Sequence, residues 1–168
     1  MKIEEALTTA LAFERKVQAH YAEAAEAARE DAAREFFGLM AREEGRHVEY
    51  LEHKLEQWRS QGVLGPAQIA TAIPQKGWME EGERKMEGRA RAGDRAYGFA
   101  HLETALHLEE EVSAHYRTLV EAVDHPEAKA LFRRFLEIED GHTALVRAEL
   151  DYLTGTGHFL GVREFTLD

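Results

Sequence analysis

Apolar positions recur along this chain at steps of three and four in four long stretches, the spacing of amphipathic helices. The first stretch, over ~3–29, carries the stripe Leu7, Leu11, Val17, Tyr21, Ala24 and Ala28 at steps close to the helical period. Asp31 is the predicted N-cap of a second helix over ~32–61, with Phe37, Met40, Val48, Leu51, Leu55 and Trp58 on its stripe and Gly62 closing it. Glycine and proline then punctuate a long connection over ~63–93, with one short helix predicted near Met79–Lys85. A connection of that length predicts a crossover along the bundle, not a tight hairpin. Asp94 is the predicted cap of a third helix over ~95–123, with Leu102, Leu106, Val112, Tyr116, Leu119 and Val123. Pro126 fits the first turn of a fourth, over ~126–153, with Phe132, Phe135, Leu136, Leu145, Val146, Leu150 and Leu153. The tail 154–168 is short and rich in glycine, and Phe159 and Phe165 are predicted to pack over one end of the bundle.

Two of these stripes contain a carboxylate. Glu14 lies among LTTALAFERKVQAHY and Glu109 among LETALHLEEEVSAHY, 95 residues apart, and nine of the fifteen aligned positions are identical. The same offset relates Glu44-x-x-His47 to Glu139-x-x-His142. The chain is therefore two copies of a helix pair, each with one inward Glu and one inward Glu-x-x-His. Residues i and i+3 on a helix lie one turn apart on the same face, so each Glu and His pair can reach one ion. Glu14, Glu44, His47, Glu109, Glu139 and His142 together form a ligand set for two metal ions in a bundle core. The pseudo-symmetry predicts that Glu44 and Glu139 bridge, and that Glu14 and Glu109 each hold one ion terminally. Two imidazoles with four carboxylates suit iron or manganese. Four buried carboxylates need about four positive charges, which two divalent ions supply. The alternative is a metal-free bundle that keeps these residues as a buried polar network.

Composition narrows the field. The 168 residues suit one domain with a single core. No apolar run approaches the roughly 18–20 residues that span a membrane. The N-terminal stretch MKIEEALTTALAFERK has acids where a signal peptide has bases, so a cytoplasmic protein is expected. The absence of cysteine excludes disulfides, thiolate catalysis and cysteine-ligated metal centres. A net charge of −11 disfavours nucleic acid, because phosphate binding needs a basic face.

Other polar residues carry less. Tyr21 and Tyr116 follow their glutamates by seven residues and share the metal-facing stripe. They read equally as hydrogen-bond partners of the ligands or radical traps, and as amphipathic core residues. His20 and His115 also repeat, but a six-residue step turns them about 120° off the stripe, which predicts a surface or helix–helix contact. His53, His101, His107, His125 and His158 lack a repeat partner and read as surface, and Glu43, Glu110, Glu111 and Asp140 as solvated.

At these residues the chain resembles the ferritin-like di-iron carboxylate superfamily, and within it the rubrerythrin branch. The resemblance covers ~3–153, and the tail VREFTLD is similar to that of stand-alone rubrerythrin-like proteins. It implies an all-α four-helix bundle of two helix-pair repeats with a long crossover between helices 2 and 3, as a single domain over 1–168. It implies that Glu14, Glu44, His47, Glu109, Glu139 and His142 hold two iron ions, with manganese or a mixed pair fitting the same ligands. Two departures stand out. Rubrerythrins usually carry a further glutamate three residues after the helix 3 ligand, where this chain has Val112. The cysteines of a rubredoxin-like iron site are also missing, which implies an external electron donor protein. The resemblance further implies a homodimer, in which the long connection allows helices to exchange between protomers.

The expected function is redox chemistry with hydrogen peroxide or dioxygen, as a peroxide reductase or ferroxidase. The alternative is a non-catalytic, non-cage iron carrier or regulator. Substrate oxygenation ranks last, because no added substrate domain is evident.

Overall fold

The computed structural model describes residues 1–73 and 95–159. Four helices account for most of them: α1 (Ile3–Ala27), α2 (Asp31–Gln61), α3 (Arg95–Ala122) and α4 (Pro126–Thr156). There is no strand among the described residues, and no helix among them is long and apolar enough to cross a membrane. The predicted short helix near Met79–Lys85, the Asp94 cap and the tail from residue 160, including Phe165, lie outside the described residues.

The helix ends follow local chemistry. Glu4 and Glu5 sit in the first turn of α1, where acidic groups complement the helix dipole. Gly62 ends α2 in the left-handed region at φ 69°, and its N–H donates to the Trp58 carbonyl at 2.9 Å. Pro126 occupies the first turn of α4 as its missing N–H allows. Two expectations at the ends are corrected. The N-cap of α2 is Glu30, and Asp31 is the first helical residue, its carboxylate engaged by Arg34 at 2.6 Å instead of a backbone N–H. Helix α4 runs on to Thr156 and closes at Gly157, φ 81°. Gly155 is tolerated within the last turn, in open space.

The helices stand antiparallel in sequence-adjacent pairs, α1 against α2 and α3 against α4, and α1 packs antiparallel to α3 across the middle. The amino group of Met1 donates to the Ala122 carbonyl at 2.9 Å, and Lys16 meets Glu111 at 2.8 Å, which fixes that register. The fourth side, between α2 and α4, makes no comparable backbone approach. Phe36 and Phe37 of α2 and Phe132 and Phe135 of α4 are all fully buried in the core. Each such side chain contributes roughly 1.5–3 kcal/mol relative to an exposed one. Residues 62–73 turn back from the end of α2 and lie along this side. Phe159 plugs the opposite end, its ring centroid 5.6 Å from Phe37 and 6.2 Å from Phe36. It sits against Gly98, where a Cβ would come within 2.3 Å of the ring.

Candidate metal centre

The amphipathic pattern that buries the apolar stripes buries six polar side chains with them. Glu14, Glu44, His47, Glu109, Glu139 and His142 are each 0–1 % exposed. Each comes from the middle of its helix, Glu14 on α1, Glu44 and His47 on α2, Glu109 on α3, Glu139 and His142 on α4, so rigid backbone sets its position. The two imidazoles lie parallel, centroids 5.2 Å apart and planes 1° from coplanar in orientation.

Around each imidazole Nδ1 stand three carboxylate oxygens. His47 Nδ1 lies 3.1 Å from Glu44 Oε2, 3.1 Å from Glu139 Oε1 and 3.2 Å from Glu14 Oε2. His142 Nδ1 lies 2.8 Å from Glu44 Oε1, 3.3 Å from Glu139 Oε2 and 3.9 Å from Glu109 Oε2. Glu44 and Glu139 thus each direct one oxygen to His47 and the other to His142. Glu14 serves only the first nitrogen and Glu109 only the second. The donor atoms of Glu44, His47, Glu139 and His142 that converge here all lie within 4.8 Å of one another.

The phenols of Tyr21 and Tyr116, both fully buried, complete the arrangement. Tyr21 donates to Glu109 Oε1 at 2.5 Å, and Tyr116 donates to Glu14 Oε1. Each tyrosine engages one oxygen of the glutamate on the opposite repeat, which turns the other oxygen inward. The ring of Tyr116 stacks on Phe135 at 5.0 Å, and Phe135 meets His47 edge-on at 5.3 Å.

Most of the inward donors have no aligned hydrogen between them. Both oxygens of Glu44 and of Glu139, Glu109 Oε2 and His142 Nδ1 are buried without a hydrogen-bond partner. Only the contact between His47 and Glu14 has hydrogen-bond geometry. Buried polar groups left unpaired are costly, whereas converging unpaired donors are what a cation requires. The chemistry of the set, mixed oxygen and nitrogen, fits two divalent ions of the iron or manganese type.

Electrostatics agree with that fit. Burial, and then the Glu139 carboxylate, holds Glu14 well above the usual carboxylate range. Burial and then Glu44 do the same to Glu109. Burial also acts to raise Glu44 and Glu139, but the imidazoles outweigh it, His142 foremost, and hold both below the usual range. Burial would lower His47 and His142, but the facing carboxylates outweigh it and raise both well above the ordinary imidazole value. The carboxylates and imidazoles thus call for positive charge at the centre, which protons or cations can supply. Both tyrosines are pushed up by burial and by the carboxylates beside them, which keeps them as donors.

Other expectations fare differently. His20 and His115 lie at the α1/α3 contact, His20 Nε2 3.0 Å from the His101 carbonyl and His115 Nε2 3.2 Å from Thr9 Oγ1. His101, His125 and His158 are not surface residues but half-buried. His101 packs against Tyr97 at 4.4 Å, and His125 against Trp58 at 5.7 Å. Glu110, Glu111 and Asp140 are partly exposed and pair with Arg147, Lys16 and Arg117. Glu43 is not solvated. It is fully buried, and its Oε1 accepts from Arg46 and from the backbone N–H of Ala72, each at 2.6 Å. The adjacent acids in the pair Glu43-Glu44 gave no signal that both are inward, because the partner of Glu43 is a backbone amide 29 residues away.

A family model described as Rubrerythrin matches residues 5–150. Searches of curated proteins and of solved structures give no match. The matched span contains all six buried ligand-type residues and both tyrosines, and the chain belongs to the rubrerythrin family.

Proposed function

We propose that this protein is a di-iron carboxylate protein, with manganese as the alternative occupant of either position, and that it carries out redox chemistry with hydrogen peroxide or dioxygen. The observation that carries the reading is the doubled donor set. Two imidazole nitrogens each face three carboxylate oxygens, and two of the carboxylates span both nitrogens. In this reading Glu44 and Glu139 bridge the ions. Glu14 and His47 complete one position, and Glu109 and His142 the other. When bound, such a pair supplies two one-electron redox steps and coordination positions open to an oxidant.

The chain's own residues prepare that chemistry. Tyr21 and Tyr116 fix the rotamers of Glu109 and Glu14 through their hydrogen bonds, so both carboxylates keep one oxygen facing inward. Phe135, buried and edge-on to His47, lines the site with an apolar ring. Re-reduction falls to an external electron donor protein.

A second reading, a non-catalytic iron carrier or regulator, is favoured by Val112. This apolar residue occupies the buried position one turn after Glu109 and offers no seventh ligand. Two measurements separate the readings. Metal content per chain after purification without added metal tests the centre, with about two iron or manganese ions expected. Steady-state consumption of peroxide or dioxygen with a chemical reductant then tests turnover. Two bound ions with neither peroxide nor dioxygen consumed would leave the carrier reading standing and remove the enzyme.

A further inference from the structure

Three sides of the bundle are closed by direct helix packing, and, among the described residues, 62–73 lie over the fourth, between α2 and α4. This strap starts where α2 meets α4 and runs back along the groove between them. Lys54 of α2 donates to the carbonyls of Leu64 at 2.5 Å and Pro66 at 3.3 Å. Glu127 of α4 accepts from the N–H groups of Leu64 and Gly65, both at 3.3 Å. Tyr50 accepts from the Gln68 N–H at 3.1 Å, and Arg134 of α4 reaches the Ile69 carbonyl at 3.4 Å. The last clasp is that of Glu43, on the Ala72 N–H. From Lys54 to Glu43 the strap descends eleven helical residues, about 17 Å at the rise of an α-helix. It therefore arrives at the level of Glu44, beside the two helices that carry the Glu-x-x-His pairs.

The strap is apolar beneath and tied above. Leu64, Ile69 and Ile73 are buried, whereas the strap has a single internal backbone–backbone hydrogen bond among the described residues, Gln68 to Pro66. A segment without secondary structure, held by separate side-chain clasps, opens more readily than the helices under it. The clasp nearest the site is also the most unusual. Glu43 is a fully buried carboxylate with one oxygen shared between Arg46 and Ala72, and its Oε2 has no partner. A buried carboxyl group with one oxygen unpaired is costly, and releasing the Ala72 end of the strap lets water back to it.

We propose that residues 64–73 are the gate by which divalent cations reach the buried centre, with Glu43 and the Ala72 N–H as its latch. The cation passes between α2 and α4 once the Ala72 end lifts, and meets His47 and Glu44 first. Glu43 is a positioning residue here, not a ligand of the resting centre. The inference rests on the two-metal reading above, and its test reads that reading separately.

The test follows Co²⁺ uptake by the metal-free protein through the visible absorption of the bound ion, with amide hydrogen exchange of residues 64–73 measured alongside. Glu43→Gln removes the charge and keeps the shape; Ala72→Pro removes the same bond from the strap side. Both variants are expected to speed uptake by about tenfold or more, the factor that one charge-assisted hydrogen bond carries. Exchange of the strap amides should accelerate in parallel, and the final Co²⁺ stoichiometry should equal that of the unaltered protein. Faster exchange with unchanged uptake in Ala72→Pro would overturn the gate, since the strap would open without admitting the ion. Unchanged exchange in both variants would overturn the latch. No Co²⁺ bound by the unaltered protein at saturation would instead overturn the two-metal reading itself.

Discussion

Loading the metal-free protein should drive protons out of the core, and the groups that release them follow from the site. Burial and neighbouring carboxylates raise Glu14 and Glu109 well above the usual carboxylate range. The carboxylates that face them raise His47 and His142 well above the ordinary imidazole value, despite burial. The imidazoles hold Glu44 and Glu139 below the usual range. To bind two divalent ions every carboxylate must be ionised and each Nδ1 must be free of its proton, so the four raised groups set an upper bound of about four protons released per chain, two per ion. The sign of the pH dependence follows. Protons compete with metal, so affinity rises with pH, by up to about four logarithmic units of the two-ion constant per pH unit while all four groups remain protonated. Stability of the metal-free form moves the other way. A raised carboxylate or imidazole binds more protons folded than unfolded, so its contribution is full below the unfolded pKa and is lost as pH climbs through the raised one. The gap in Tm between loaded and metal-free protein should therefore widen from pH 6 to pH 8. The assay is an anaerobic pH-stat titration with Fe²⁺ or Co²⁺ at pH 6, with bound metal counted by elemental mass spectrometry. Two ions bound with less than about one proton released would refute the charge distribution described for the core.

Further perturbations probe other parts of the structure. Glu44→Ala removes the carboxylate that spans both imidazoles and should cut bound metal to about one ion or fewer, abolishing the metal-dependent rise in Tm; retention of two ions and the full Tm would sink the bridging role. Tyr21→Phe and Tyr116→Phe each strip a buried carboxylate oxygen of its donor and should cost about 1–3 kcal/mol in denaturant unfolding of the metal-free protein, whereas no loss would show that the phenols pack without bonding. Gly98→Ala drives a methyl into the Phe159 ring and should cost about 1–3 kcal/mol. The penalty should largely vanish in a Phe159→Ala background, and equal penalties in both backgrounds would mean that the ring is not seated there.

Much of the site was legible because duplication printed it twice. One Glu in an apolar stripe is ambiguous, but Glu14 and Glu109 at the same offset as the two Glu-x-x-His pairs can hardly be surface residues. The role of the tyrosines was half legible: a step of seven placed Tyr21 and Tyr116 on the stripe, yet nothing in the spacing told that each bonds the glutamate of the other repeat. What escaped was whatever depends on a segment without periodicity. Glu43 lies off the apolar stripe of α2 and reads as solvated, but the strap gives that face a second cover and turns it inward. The half-buried setting of His101 and His125 likewise arises from aromatic neighbours, Tyr97 one turn earlier on the same helix with His20 of α1 around His101, and Trp58 of α2 beside His125. Asp31 misled for a local reason: Arg34 competes for its carboxylate.

The crossed bonds between tyrosine and glutamate bear on how such a chain can change over time. The phenol of one copy serves the carboxylate of the other, and the spanning glutamate of each copy serves the imidazole of its twin. Neither copy can drift toward a private chemistry without unsettling its sibling. A change in either repeat is therefore felt across the pseudo-symmetry, at a ligand held by the other.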